Sequence, residues 1–126
     1  MVNQILQKGK GQLAEEKRFE RGVRKFLVGQ GAYVIKYWGG GQFTRSGVPD
    51  LLVSVNGYFI GVELKASGGR PSPLQLYNLR LIGESGGVGI LLYPRNFTHF
   101  KMFIEDVMKG HRPSDLIQKE KYAVLR

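Results

Sequence analysis

Apolar positions recur along this chain with a period that changes from one stretch to the next, and each change marks an element. From about Leu13 to Val28 the period is helical: Phe19, Val23, Phe26 and Leu27 share one side, while Lys17, Arg18, Arg21, Arg24 and Lys25 fill most of the rest. Gly29 and Gly31 end this helix. The preceding residues 1–12 are polar and carry Gly9 and Gly11, which predicts a flexible basic arm. Ala32–Trp38 is rich in β-branched and aromatic residues and predicts a strand. Gly39–Pro49 predicts a glycine-rich polar loop. Residues 50–65 then form two strand-like runs around Asn56-Gly57, a strong hairpin signal.

After a second loop (ASGGRPSP), Ser72 can cap a helix with Pro73 at its first position. That helix, Pro73 to Glu84, is expected to bury Leu74, Tyr77 or Leu76, Leu81 and Ile82, and Gly86-Gly87 breaks it. Val88–Tyr93 is a short, continuously apolar run, the pattern of a strand covered on both faces. Residues 96–109 predict a further helix through Phe97, Phe100, Phe103 or Ile104, and Val107 or Met108. Residues 111–126 have no decisive pattern. The order α-β-β-β-α-β, then a helix, predicts an α/β domain over residues 13–126: a mixed sheet with helices on both sides.

The hairpin register brings chemistry together. With Asn56-Gly57 as a two-residue turn, Val55 faces Tyr58, Val53 faces Ile60, Leu51 faces Val62 and Asp50 faces Glu63. Cross-strand partners point the same way, about 5 Å apart at Cβ. Lys65, two residues beyond Glu63, shares that face. The opposite face carries Leu51, Val53, Val55, Tyr58, Ile60, Val62 and Leu64 and is expected to be core.

Two facing carboxylates repel, and a hard divalent cation reverses that sign. Magnesium needs only one or two carboxylates, with water and phosphate oxygens completing its shell. Two acids and a lysine are therefore a plausible set for cleaving a phosphodiester; a salt bridge at a strand end is the competing reading. On the first helix Glu16, Glu20, Val23 and Leu27 fall on one stripe, which brings an acid to the edge of the core or merely to a solvated turn.

Charge adds a partner. Nineteen Lys and Arg against ten Asp and Glu give +9 on 126 residues, a balance that attracts polyanions, nucleic acid first, or else simply solubilises the surface. The chain has no cysteine, which excludes disulfides and thiolate zinc sites and fits a reducing, cytoplasmic setting. No run approaches the roughly 20 apolar residues of a membrane span. Arg45, Ser46, Arg70, Arg80, Lys8 and Lys10 lie outside the expected core and are candidate phosphate contacts. Trp38 and Phe43 are candidates for stacking on bases, although the strand pattern favours the core for Trp38. His99 and His111 have no partner pattern and read as structural or surface residues.

The run Ser46-Gly47-Val48-Pro49-Asp50, followed by Glu63-Leu64-Lys65, resembles the PD-(D/E)xK nuclease superfamily, which includes type II restriction enzymes and archaeal Holliday-junction resolvases. GVPDLLV, then GYFIGVELKASGGRPSPLQ, a helix and GGVGILLY look like the virus-type replication-repair nuclease (VRR-NUC) family, over roughly residues 13–93. The resemblance implies a restriction-endonuclease-like fold and Mg²⁺ or Mn²⁺ as cofactor. Asp50, Glu63 and the Leu64 carbonyl would be metal ligands, Lys65 the catalytic lysine, and Gln75 a residue near the scissile phosphate. The family also has a glutamate on its first helix. Glu16 fits the virus-type spacing, and Glu20, followed by Arg21, fits the resolvase pattern. The resemblance further implies a homodimer acting on branched DNA such as Holliday junctions, in bacteria or phage-infected cells. Phe97, Phe100, Phe103 and Tyr122 are candidates for the dimer interface or, by their pattern, for the core. A flap-directed or non-specific repair nuclease and a non-catalytic basic DNA-binding module are the alternatives.

Overall fold

The hairpin around Asn56-Gly57 forms the centre of the sheet in a computed structural model, which describes residues 2–39, 44–117 and 122–124. Its strands are β2 (Leu51–Val55) and β3 (Tyr58–Leu64), with Leu51 opposite Val62 and Val55 opposite Tyr58, the expected register. Asn56 and Gly57 both have positive φ, 49° and 86°, as a type I′ turn requires. Asn56 Nδ2 also donates to the Val107 carbonyl at 3.0 Å, which ties the turn to the helix beneath it.

Around this hairpin the chain runs α1 (Val2–Gly29), β1 (Tyr33–Lys36), β2, β3, α2 (Pro73–Glu84), β4 (Val88–Leu92), α3 (Phe97–Met108), α4 (Pro113–Leu116) and β5 (Ala123–Val124). The strands lie side by side in chain order. Strand β1 pairs antiparallel with β2, and β2 with β3, whereas β3–β4 and β4–β5 are parallel. Helix α2 makes the crossover that a parallel β3–β4 pair needs. The architecture is a mixed α/β sheet flanked by helices.

Each sheet face has its own cover. On one, Leu51, Val53, Val55, Ile60, Val62 and Leu64 are all buried against Phe19, Val23 and Leu27 of α1 and Phe100, Phe103, Ile104 and Val107 of α3. Fully burying a side chain of this size contributes roughly 1.5–3 kcal/mol. On the other, α2 lies over β3 and β4, where Leu79 packs with Leu91 and Tyr93. A side chain at Gly89 would run into the Leu79 carbonyl, so only glycine lets the helix sit this close.

Several expectations change. Helix α1 begins at Val2, not Leu13, so residues 2–12 are helical here; Gly9 and Gly11 each cost a helix about 1 kcal/mol but keep their N–H groups and do not stop it. Helix α2 turns part of the expected stripe to the sheet, with Ile82 over Gly61 and Leu76 against Leu79, but its centre is shifted. Leu79 and Asn78 are its buried residues, because the helix approaches β4 through Leu79 over Gly89. Leu74, expected inside, is about 45% exposed, as is Tyr77; of the alternatives Tyr77 and Leu76 it is Leu76 that packs inward. Trp38 is 72% exposed, not core, because strand β1 ends at Lys36 before reaching it. Phe100 and Phe103 are core and Phe97 packs against them, while Tyr122 packs against Leu79, Leu91 and Tyr93 on the other face. His99 and His111 are exposed. Phe43 and Gly40–Gly41 lie outside the described residues, as does the Lys8 side chain. Among the described residues no helix is long and apolar enough to cross a membrane.

Candidate active site

The site lies where the hairpin opens. Residue 50 immediately precedes β2, and its main-chain carbonyl accepts from Tyr37 N at 2.8 Å, which holds it to β1. One step beyond the Leu51–Val62 pair, Asp50 faces Glu63. Leu64 N–H points back toward β2, opposite Pro49. Asp50 Oδ2 accepts this hydrogen bond at 2.8 Å, so a carboxylate rather than main chain closes the ladder.

Glu63 is 2% exposed and sits beside Leu91 of β4, under the first turn of α2. That turn is built to meet it. Ser72 Oγ accepts from Gln75 N while Gln75 Oε1 accepts from Ser72 N, a capping box that fixes the glutamine. Gln75 Nε2 then donates to Glu63 Oε1 at 3.0 Å. Lys65 Nζ lies 3.8 Å from the same oxygen. Glu63 Oε2 is buried with no hydrogen-bond partner. A buried carboxylate oxygen without a donor costs free energy unless a proton or a cation compensates. Burial first, and the Asp50 carboxylate next, push the Glu63 pKa up to about 9, with Lys65 opposing. As an apo chain at neutral pH, the site therefore holds a proton on Glu63.

The two candidate glutamates of α1 separate. Glu20 is paired: Lys36 Nζ lies 2.8 Å from its Oε2, and Arg24 Nη1 4.0 Å from the same atom. Glu16, one turn earlier, is turned toward the hairpin end. Burial, and then Asp50, raise its pKa, with Lys65 pulling the other way. Electrostatics thus couples Glu16 to the site, while the ion pair with Lys36 holds Glu20 to strand β1. Glu15 belongs to neither; its Oε1 accepts from Ser67 N at 2.9 Å and anchors the loop after β3. Tyr93 anchors the same loop from β4, donating its hydroxyl to the Gly69 carbonyl at 2.8 Å.

Among the described residues no group of three or more His, Cys, Asp or Glu is placed to hold a metal ion. What fits a hard cation is narrower: two carboxylates at one strand end, one with an orphaned buried oxygen. That set meets magnesium's minimum if water and phosphate supply the rest.

The candidate phosphate contacts are spread out. Arg45 and Ser46 are exposed just before Asp50, and the Arg45 main chain exchanges hydrogen bonds with the Tyr37 hydroxyl. Arg70 is exposed on the loop after Lys65, and Lys10 is exposed on α1. Arg80 is partly committed, 3.9 Å from Glu84 and over the Tyr77 ring. Sequence reasoning missed the Lys36–Glu20 pair, Glu15 and Tyr93. Strand alternation would have placed Lys36 on the α1 side of the sheet, but nothing local in the sequence marks the other two. Comparison with models of protein families, with curated protein sequences and with solved structures found no match.

Proposed function

We propose that this chain is a metal-dependent endodeoxyribonuclease of the PD-(D/E)xK type with a restriction-endonuclease-like fold, selective for branched DNA. The observation that carries the reading is the pairing of Asp50 with a Glu63 whose Oε2 is buried and unpartnered, with Lys65 alongside. A proton shared with Asp50 satisfies that oxygen at neutral pH, and a divalent cation held between the two carboxylates would satisfy it once the proton leaves. Asp50, Glu63 and the Leu64 carbonyl are the ligands in this reading. When bound, Mg²⁺ or Mn²⁺ polarises the phosphodiester and acidifies a bound water.

The chain's own residues supply the rest. Asp50 is oriented by the Leu64 N–H, and Gln75 fixes the Glu63 carboxylate, so both ligands are preorganised. In this role Gln75 is a positioning residue. Lys65 places positive charge where the phosphate becomes more negative. A water oxygen attacks phosphorus and gives its proton to solvent, the bond to the 3′ oxygen breaks, and the leaving oxygen takes a proton from solvent, giving 5′-phosphate and 3′-hydroxyl ends. A twofold dimer would present two such sites to a symmetric four-way junction.

A second reading, a non-catalytic basic DNA-binding module, draws on the same contacts: Asp50 and Glu63 each have a structural hydrogen bond. One experiment separates the two readings. A labelled four-way junction is incubated beside linear duplex, flap and single-stranded DNA, with Mg²⁺ and with chelator. Symmetric, metal-dependent nicks in the junction support the resolvase. Cutting of every substrate keeps the chemistry and discards junction selectivity, leaving a flap-directed or non-specific repair nuclease. Tight binding with no cutting under any metal supports the module.

A further inference from the structure

The outer face of α1 carries a row of cations. Lys10, Lys17, Arg18, Arg21, Arg24 and Lys25 are all exposed. At 100° per residue they fall within about one-third of the helix circumference, opposite the buried Phe19 and Val23. No acid shares that arc: Glu20 and Glu16 lie beyond one edge of it and Glu15 beyond the other. The row spans about 22 Å at 1.5 Å per residue.

At its edge the row passes into an aromatic side chain. Arg24 lies 4.0 Å from Glu20, Glu20 is 2.8 Å from Lys36, and Lys36 Nζ sits 4.1 Å from the centre of the Trp38 ring. Trp38 is 72% exposed. Tyr37, its neighbour, is bonded to the Asp50 carbonyl, so the ring stands next to the strand end that carries the acids. A large exposed indole, steadied by an ion pair and beside a cationic helix face, has the parts of a single-strand binding groove: charge for the backbone and a ring for a base.

We propose that α1 and Trp38 form one nucleic-acid surface, on which an unpaired DNA strand lays its phosphates along the helix and stacks a base on Trp38. The choice of DNA rests on the nuclease reading, and the surface assigns part of that enzyme's substrate. Charge complementarity favours a polyanion. The apolar residues near this face, Leu13 and Val28, are too few and too far apart to enter a bilayer, which disfavours an anionic membrane.

Trp38 is the only tryptophan in the chain, so its emission reports the contact directly. The full-length protein is titrated in chelator, where no cleavage occurs, with a thymidine oligomer about a dozen nucleotides long. The expected result is quenched emission and binding that weakens with salt. Read with a fluorescently labelled oligomer, since these variants lack tryptophan, Trp38→Phe should retain affinity and Trp38→Ala should lose about tenfold or more. Arg21→Ala with Arg24→Ala should flatten the salt dependence by about 0.7 per cation removed. Binding of a labelled oligomer with unchanged Trp38 emission would overturn the proposal. So would an unaltered salt slope in the arginine variant, or quenching by anionic vesicles but not by the oligomer. Because the assay contains no metal, quenching by a chain that never cuts DNA would keep this surface and sink the nuclease. Cutting without quenching would do the reverse.

Discussion

The two faces of the hairpin are made from alternate residues of the same sixteen, yet they solve different problems. One face, Leu51, Val53, Val55, Ile60, Val62 and Leu64, is apolar and buried throughout. The other is graded. Near the turn it holds exposed Ser54 and Phe59, in its middle Gly61 packed under Ile82 and Pro49, and at its open end the buried Glu63. The first face contributes stability by excluding water. The second places an ionisable group where water is excluded as well, and there the same burial is a cost. Stability and chemistry thus meet on one pair of strands without sharing a side chain.

That contrast breaks most sharply at the acids. Asp50→Asn keeps an oxygen for the Leu64 N–H, and Lys65→Ala removes only charge and reach. In the nuclease reading each lowers cleavage by at least about a hundredfold while junction binding stays within several-fold and the fold is retained. Collapse of binding and fold together would make both faces structural. On the buried face the expected result is the opposite. Leu51→Ala or Leu64→Ala should cost about 2–5 kcal/mol in urea unfolding, and any loss of activity should track the loss of folded protein.

The pH response sharpens the comparison further. Glu63 holds its proton up to about pH 9 when folded, whereas an unfolded glutamate releases it near its ordinary value. Between those pH values the folded chain binds more protons, so this group's contribution is complete below the ordinary carboxylate pKa and is lost as pH rises toward 9. The slope is at most about 1.4 kcal/mol per pH unit. Glu63→Gln should flatten that part of the stability profile. Wild-type protein that becomes more stable over the range would contradict the buried, protonated glutamate. A cation that binds the carboxylate must displace this proton. Mg²⁺ should therefore raise the melting temperature more at pH 8 than at pH 6 (roughly two units apart, within the titrating range), and should not do so in Glu63→Gln.

The smallest effect separates the two glutamates of α1. Glu20→Gln weakens the pair with Lys36 and should cost about 1 kcal/mol of stability with cleavage little changed. Glu16→Gln should leave stability nearly unaltered and shift the pH profile of cleavage. The reverse outcome would assign Glu20 to the site.

How much of this was legible in the sequence depended on whether the signal was local. Asn56-Gly57 sets a register by itself, and the pairing of Asp50 with Glu63 follows by counting. Ser72 and Pro73 likewise mark the start of α2 at the residue where it occurs. The centre of the α2 stripe, Leu79, was not legible, because it depends on Gly89, a residue from another element that lets it in. The exposure of Trp38 depends on what lies beyond the end of β1, which alternation cannot report. Nor could any stripe on α1 choose between Glu16 and Glu20, since the choice is made by Lys36 across the sheet.

The Asn56-Gly57 turn has one more consequence. Asp50 stands six residues before Asn56, and Glu63 six after Gly57. The turn is the zero of a ruler with equal arms. Inserting a single residue in one arm rotates that arm's carboxylate to the far side of the sheet, into hydrocarbon, while every residue of the site is still present in the chain. Two residues added to both arms lengthen the ruler but return both marks to the same side. The unit that must be kept intact is thus a count as well as a set of side chains, and a length change does most harm within the two arms, among residues that carry none of the chemistry.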